Sequence, residues 1–326
     1  MNKKGLNRLA TSLWLGNLVL ILLLVGGWYL FNSAFPARAG EVEANPAPIL
    51  MATHPPTWTP KPSITPVPPP TQRPTITPWP TPSPGPSLTP WVTPPGNVRE
   101  IGRSVEDRPL EIIRFGNGPV VKLIVAGIHG GYEHNTIELA DEIIAYLIDH
   151  PERLPAKSTL YILRSLNPDG YDRDLGVEGR ANANNVDLNH NFPYNWKPDW
   201  SRDGCWVYRP TTAGTGPGSE PEVQALINFI DEIKPAALIS YHSAGLGIFP
   251  GGRPDFPDSI LLAEAIAPVT TYPYPPINTG CDYTGNLTDW ASNTHQIPSV
   301  DIELTNHTDT DFDMNLRVLQ VFLDWQ

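Results

Sequence analysis

The sequence predicts an α/β fold: a three-layer α/β/α body with a mixed central sheet, preceded by a transmembrane helix and a disordered Pro/Thr-rich stalk. Three observations carry this expectation. Short apolar runs suited to strands alternate with segments whose apolar residues recur at helical spacing. An apolar run from Leu13 to Phe31, broken only by small or mild residues such as Gly16, Asn17 and Gly26, follows Lys3, Lys4 and Arg8. Nineteen of the 39 prolines then fall between Pro46 and Pro95. The chain of 326 residues therefore divides into a signal-anchor segment, 1–40, a linker, 41–97, and a domain, 98–326, long enough for a full core.

The run from Leu13 to Phe31 is 19 residues, long for a signal-peptide core and sufficient for one spanning helix. Its basic flank stays in the cytoplasm, so the remainder faces outward, and Trp28 and Tyr29 suit an interfacial belt. Ala37-Arg38-Ala39 resembles a cleavage site. The expectation is a membrane-anchored protein with an extracytoplasmic domain, or a secreted one if cleaved after Ala39. The linker shows neither period-2 nor period-3.6 apolar patterning, so it builds no core. As polyproline II at ~3.1 Å per residue, fifty such residues reach about 150 Å.

Within the domain, residues 110–116 and 120–127 read as strands joined through Gly116-Asn117-Gly118. Residues 133–148 place Ile137, Ala140, Ile144 and Leu147 on one helical stripe. Residues 159–165, 237–243 and 299–304 are strands apolar on both faces, as interior strands covered by helices should be. Ser219-Glu220-Pro221-Glu222 reads as a capping box with Ser219 as N-cap, opening a helix over 220–233. Residues 259–267, 286–292 and 312–325 are further helices. Active groups in such folds sit on loops past strand ends.

Charge excludes one class of partner. Residues 1–97 hold six Lys/Arg and two Asp/Glu, which leaves 16 and 32 for residues 98–326, a net charge of −16 there. A domain so acidic, with no basic stripe, is not built for nucleic acid. Cys205 and Cys281 are the two cysteines, and an exported domain permits a bridge between their loops or leaves both as thiols.

Four ionisable residues stand at strand ends or a helix start: His129 and Glu133 in GIHGGYEHNT, His242 in ALISYHSAG and Glu303 in PSVDIELTNH. Two imidazoles and a carboxylate make a three-ligand Zn²⁺ site with one position open for water, and a further carboxylate can take a proton from that water. Gly130-Gly131 lets the backbone turn sharply behind His129. Read singly, His129 is as well explained as a solvated loop histidine, Glu133 as a helix-initiating glutamate, His242 as a hydrogen-bonded core histidine and Glu303 as a paired structural carboxylate. Their joint placement points to one site.

With NPDG (167–170), NVDLNHNFP (185–193), SEPE (219–222) and the YHS strand in order, the chain from about Ile101 to Glu303 resembles the zinc carboxypeptidase family, the carboxypeptidase A-like metallopeptidases. The resemblance implies one Zn²⁺ per chain on His129, Glu133 and His242, with Glu303 as general base. It implies Arg180 as the oxyanion-stabilising arginine, Asn189 and His190 as the pair gripping a terminal carboxylate, and Tyr283 as the capping tyrosine. Two departures stand out. HGGYE places three residues between its His and Glu where the family usually has two, so a small bulge or an outward Tyr132 is expected. His190 replaces the family's usual arginine, which predicts a weaker, acid-favoured grip on a free carboxylate.

The expected function is a zinc metallopeptidase acting on peptide substrates as a monomer. The alternatives are a cell-wall (murein) peptide hydrolase, an N-acyl amino acid amidohydrolase, and a catalytically silent surface binding module.

Overall fold

In the strand Val120–Val125, Ile124 packs on one face of a sheet while Leu123 and Val125 pack on the other. Ile112/Ile113 and Leu238/Ile239 divide in the same way, which is the period-2 alternation of a strand covered on both sides. The computed structural model describes residues 97–325. The expected anchor, and all of the expected linker but Asn97, lie outside the described residues. Among the described residues no helix is long and apolar enough to cross a membrane.

Seven strands form the sheet: β1 (Val98–Arg103), β2 (Pro109–Gly116), β3 (Val120–Val125), β4 (Ser158–Leu163), β5 (Ala237–Ser243), β6 (Ile248–Pro250) and β7 (Ser299–Leu304). Their spatial order is β1-β2-β4-β3-β5-β7-β6. The four central strands run parallel and the outer pairings are antiparallel, so the sheet is mixed. β2 and β3, consecutive in sequence, are not neighbours, because β4 inserts between them. The chain leaves β3 toward β4 on one side and returns to β5 on the other. The crevice past the carboxyl ends of β3 and β5 is therefore a topological switch point, where such folds place their ligands.

Among the described residues six α-helices accompany the sheet: α1 (His134–Asp149), α2 (Pro168–Arg173), α3 (Pro221–Ile233), α4 (Pro257–Ile266), α5 (Leu287–His295) and α6 (Phe312–Asp324). α1, α4 and α6 pack on one face through residues such as Ile143, Leu262 and Phe322. α3 and α5 cover the other through Leu226, Phe229 and Trp290. The expected stripe Ile137, Ala140, Ile144 and Leu147 is buried. Lys122 of β3 is buried as well, and its ammonium donates to the carbonyls of Phe322, Leu323 and Trp325 at 2.5, 2.8 and 2.7 Å. It thus satisfies the orphan acceptors at the end of α6 and ties that helix to the sheet.

The start of α3 corrects one expectation. Glu220, not Ser219, is the N-cap, and it makes no side-chain capping bond. The Ser219 hydroxyl instead donates to Glu220 Oε1 and accepts from Asn191 Nδ2, because the Asn191 amide folds over this turn. Glu222 is buried in the first helical turn and accepts from the Val105 amide at 3.1 Å and from Asn182 Nδ2 at 3.2 Å. Burial, with nearby Asp169 adding to it, pushes its carboxyl up to about 7. A carboxyl raised above its unfolded value of about 4.3 adds stability below that pH and loses it as pH rises through the folded value. Glu222→Gln is therefore expected to flatten the fall in stability between pH 5 and 8 and to gain of the order of 2 kcal/mol over the parent at pH 8. Urea midpoints across that range measure it, and parallel curves would show that Glu222 is already ionised.

Candidate active site

The loop after β3 delivers His129 over four residues. Gly130 has φ +48°, and a Cβ on Gly131 would stand 1.9 Å from the Asp174 carbonyl. Glycine is thus required where this loop presses on the segment that carries Arg180. The extra residue in HGGYE is absorbed by a single 3₁₀ turn, Gly130–Glu133. The turn brings Glu133 Oε1 to 2.8 Å from His129 Nδ1. Tyr132 does not point to bulk solvent. It is half-buried in the cavity wall, its ring 4.6 Å from that of His307 and 5.4 Å from that of Trp206.

His242 lies in β5 directly opposite Glu303 of β7. Its Nδ1 is 3.3 Å from Glu133 Oε2 and 3.3 Å from His129 Nδ1. Two imidazole nitrogens facing each other so closely want a shared cation or proton. An edge near 3.3 Å is also what tetrahedral coordination with ~2.0–2.1 Å bonds requires. The donor atoms of His129, Glu133 and His242 lie within 4.8 Å of one another, and all three residues are buried. Glu133 Oε2 is buried with no hydrogen-bond partner among the described residues. These residues fit a Zn²⁺ ion.

The outer nitrogens of both rings face carboxylates. His129 Nε2 is 3.2 Å from Asp187 Oδ1, poorly aligned for a hydrogen bond, and His242 Nε2 is 3.4 Å from Asp301 Oδ1 and 3.0 Å from Ser240 Oγ. Such outer carboxylates orient ligating imidazoles and raise their basicity. Burial would lower His242, but Asp301 and Glu133 together raise it well above the ordinary histidine range. Burial, reinforced by the Glu133 charge, pushes Glu303 up to about 8, and its Oε2 has no partner among the described residues.

Arg180 is buried beside this cluster. Its Nε donates to Asp187 Oδ2 at 2.8 Å and its Nη1 to Glu133 Oε1 at 3.4 Å, while Trp206 covers the guanidinium at 4.7 Å. Asn189 lines the cavity, with its Oδ1 accepting from the Leu287 amide at the start of α5. Tyr283 lines it too, near Phe249 and Arg253. His190 departs from expectation. Its ring is buried, stacked on Trp200 at 3.9 Å and 16°, with Nδ1 3.3 Å from Thr284 Oγ1. Burial, with Arg180 and His129 nearby, lowers it to about 4 despite Asp187.

All eight residues singled out in the sequence border one cavity of about 390 Å³. Asp187, Asp301, Trp206 and Arg253 border it as well and went unread. Asp301 carried a signal, since it precedes Glu303 by two and so shares its face of β7. Cys205 and Cys281 are bonded, with Cα atoms 4.6 Å apart, and this bridge ties the Trp206 loop to the Tyr283 loop.

The zinc carboxypeptidase (peptidase M14) family matches residues 96–320. Murein peptide amidase A of Escherichia coli (strain K12) is 36% identical over 162 residues, 45% of this chain and 60% of that protein. The chain thus spans less than two thirds of that relative's length. The crystal structure of murein-tripeptide amidase from Escherichia coli O157 superposes with a TM-score of 0.52 at 26% identity, covering 72% of this chain and 94% of that one. Bovine thrombin-activatable fibrinolysis inhibitor, at 22% identity and a TM-score of 0.56, covers 70% of this chain and 88% of its own and shares the fold.

Proposed function

The chain belongs to the zinc carboxypeptidase family, and from that premise we propose that it is a zinc-dependent peptidase cleaving peptide bonds near a chain terminus. The observation that carries this reading is the convergence of His129, Glu133 and His242 on one point with Glu303 alongside. His129, Glu133 and His242 would hold the ion, and Zn²⁺ when bound supplies a Lewis acid that makes water acidic near neutral pH. Glu303 accepts the proton of the attacking water and returns it to the leaving amine. Arg180, fixed by Asp187 and permanently charged, stabilises the developing oxyanion. Asn189 and Tyr283 position the substrate, and His190 fills the wall behind Asn189.

A second reading, a murein peptide amidase, is favoured by the two Escherichia coli relatives. The N-terminal run supports anchoring in a membrane with the domain outside it, and the Cys205–Cys281 bond suits an oxidising compartment. The full chain, purified in detergent, tests the proposal. One zinc per chain is expected, with hydrolysis of free-acid or murein-derived peptides that a chelator abolishes and added Zn²⁺ restores. Stoichiometric zinc without turnover of any peptide would favour the silent binding module.

A further inference from the structure

The residue after Asn189 is His190, whose ring is buried and stacked flat on Trp200, and it offers no guanidinium fork. Two guanidinium groups do border the cavity. Arg180 is taken up by the site already described: its Nε and Nη1 are bonded to Asp187 and Glu133, Trp206 covers its face, and what remains of the guanidinium serves the oxyanion. Arg253 is not. Its Nε lies 2.8 Å from Asp289 Oδ2, and neither Nη atom has a hydrogen-bond partner among the described residues.

The backbone around Arg253 is pinned from three sides. Its amide donates to Asn293 Oδ1 at 3.0 Å, its carbonyl accepts from the Tyr194 hydroxyl at 2.7 Å, and the Gly252 amide donates to Asp289 Oδ1 at 2.8 Å. Buried Asp289, in the first turn of α5, thus grips both the loop and the side chain. The guanidinium lies over the Tyr283 ring, 5.0 Å from its centre. An arginine held by Nε and stacked on one face presents its two Nη groups as a fork, the geometry that pairs with a carboxylate.

We propose that Arg253 receives a carboxylate of the substrate, with Asp289 as its positioning residue, a role that rests on the peptidase reading above. The alternative is a half-exposed ion pair with Asp289 that contributes little.

The test is equilibrium binding to the full chain carrying Glu303→Gln, so that no turnover is needed. The probes are matched pools of N-acetylated tripeptides ending in a free acid or an amide, together with murein tripeptide. The parent is expected to prefer acids by about 10- to 100-fold, the range of one charge-assisted pair. Arg253→Ala should remove that preference while leaving amide affinity unchanged. Arg253→Lys should keep part of it, and Asp289→Asn should weaken acids alone. A parent without acid preference, or an equal loss for acids and amides in Arg253→Ala, overturns the assignment. Binding and hydrolysis fail separately: peptide turnover without acid preference sinks Arg253 alone, whereas acid preference lost with Arg253 stands even where no turnover is found.

Discussion

Glu303→Gln in the full chain is expected to lower peptide hydrolysis by about 10²–10⁴-fold while the protein keeps its zinc. The separation of effects follows from where Glu303 stands. It is opposite His242 on the neighbouring strand, yet outside the set of donor atoms that converge on one point. Removing its charge therefore leaves the two imidazoles and Glu133 in place. Burial and the Glu133 charge push its carboxyl up to about 8, so the metal-free fold already holds it protonated at neutral pH. Glutamine copies that neutral form in size and shape, and folding should not suffer. The effect should fall on kcat rather than KM, because proton transfer belongs to the transition state. Zinc analysis beside steady-state kinetics measures both. Equal turnover in the two proteins would remove Glu303 from the chemistry, and loss of zinc together with turnover would make it a ligand.

How far the sequence could be read depended on where each contact partner lies. The central strands β3, β4, β5 and β7 were legible because both of their faces are buried, which writes an apolar run into the sequence. β1, VREIGR, is half-exposed at the sheet edge and carries no such run. β6 is three residues and α2 six, too short for any period to show. The capping box failed because an amide from Asn191, distant in sequence, outcompetes a local motif. The site divides in the same way. His129, Glu133, His242 and Glu303 end or follow regular elements, so their surroundings announce them. Arg253 and Trp206 enter the cavity from irregular loops, and Trp206 is held there by a disulfide to a loop 76 residues away. No local pattern encodes that meeting. His190 was legible as a departure from the family, but its stacking on Trp200 was not, since Trp200 lies in a segment without periodicity.

Glu133→Gln is expected to cost both the metal and, in the zinc-free protein, about 3–5 kcal/mol of stability at pH 7. Glu133 is buried between His129, His242 and Arg180. Burial alone would raise its carboxyl, but the two imidazoles more than offset this and hold it below the usual carboxylate range. A carboxyl depressed in this way contributes stability above its unfolded value near 4.3 and loses it as pH falls through the folded value. The penalty of the substitution should thus be largest near neutrality and shrink in strong acid, where the parent forfeits the same interaction. Chelator-treated denaturation at pH 7 and pH 3 reads the stability effect, and zinc titration reads the affinity. Asp187 makes the comparison decisive, because it approaches His129 from the other ring nitrogen at 3.2 Å. If His129 binds zinc through Nδ1, Glu133→Gln should abolish stoichiometric binding, while Asp187→Asn, acting only through the imidazole, should weaken it about 10- to 100-fold. The reverse ranking would turn the ring around and make Asp187 the carboxylate ligand. The 3₁₀ turn that accommodates the extra residue in HGGYE would then serve to hold Arg180 rather than the metal.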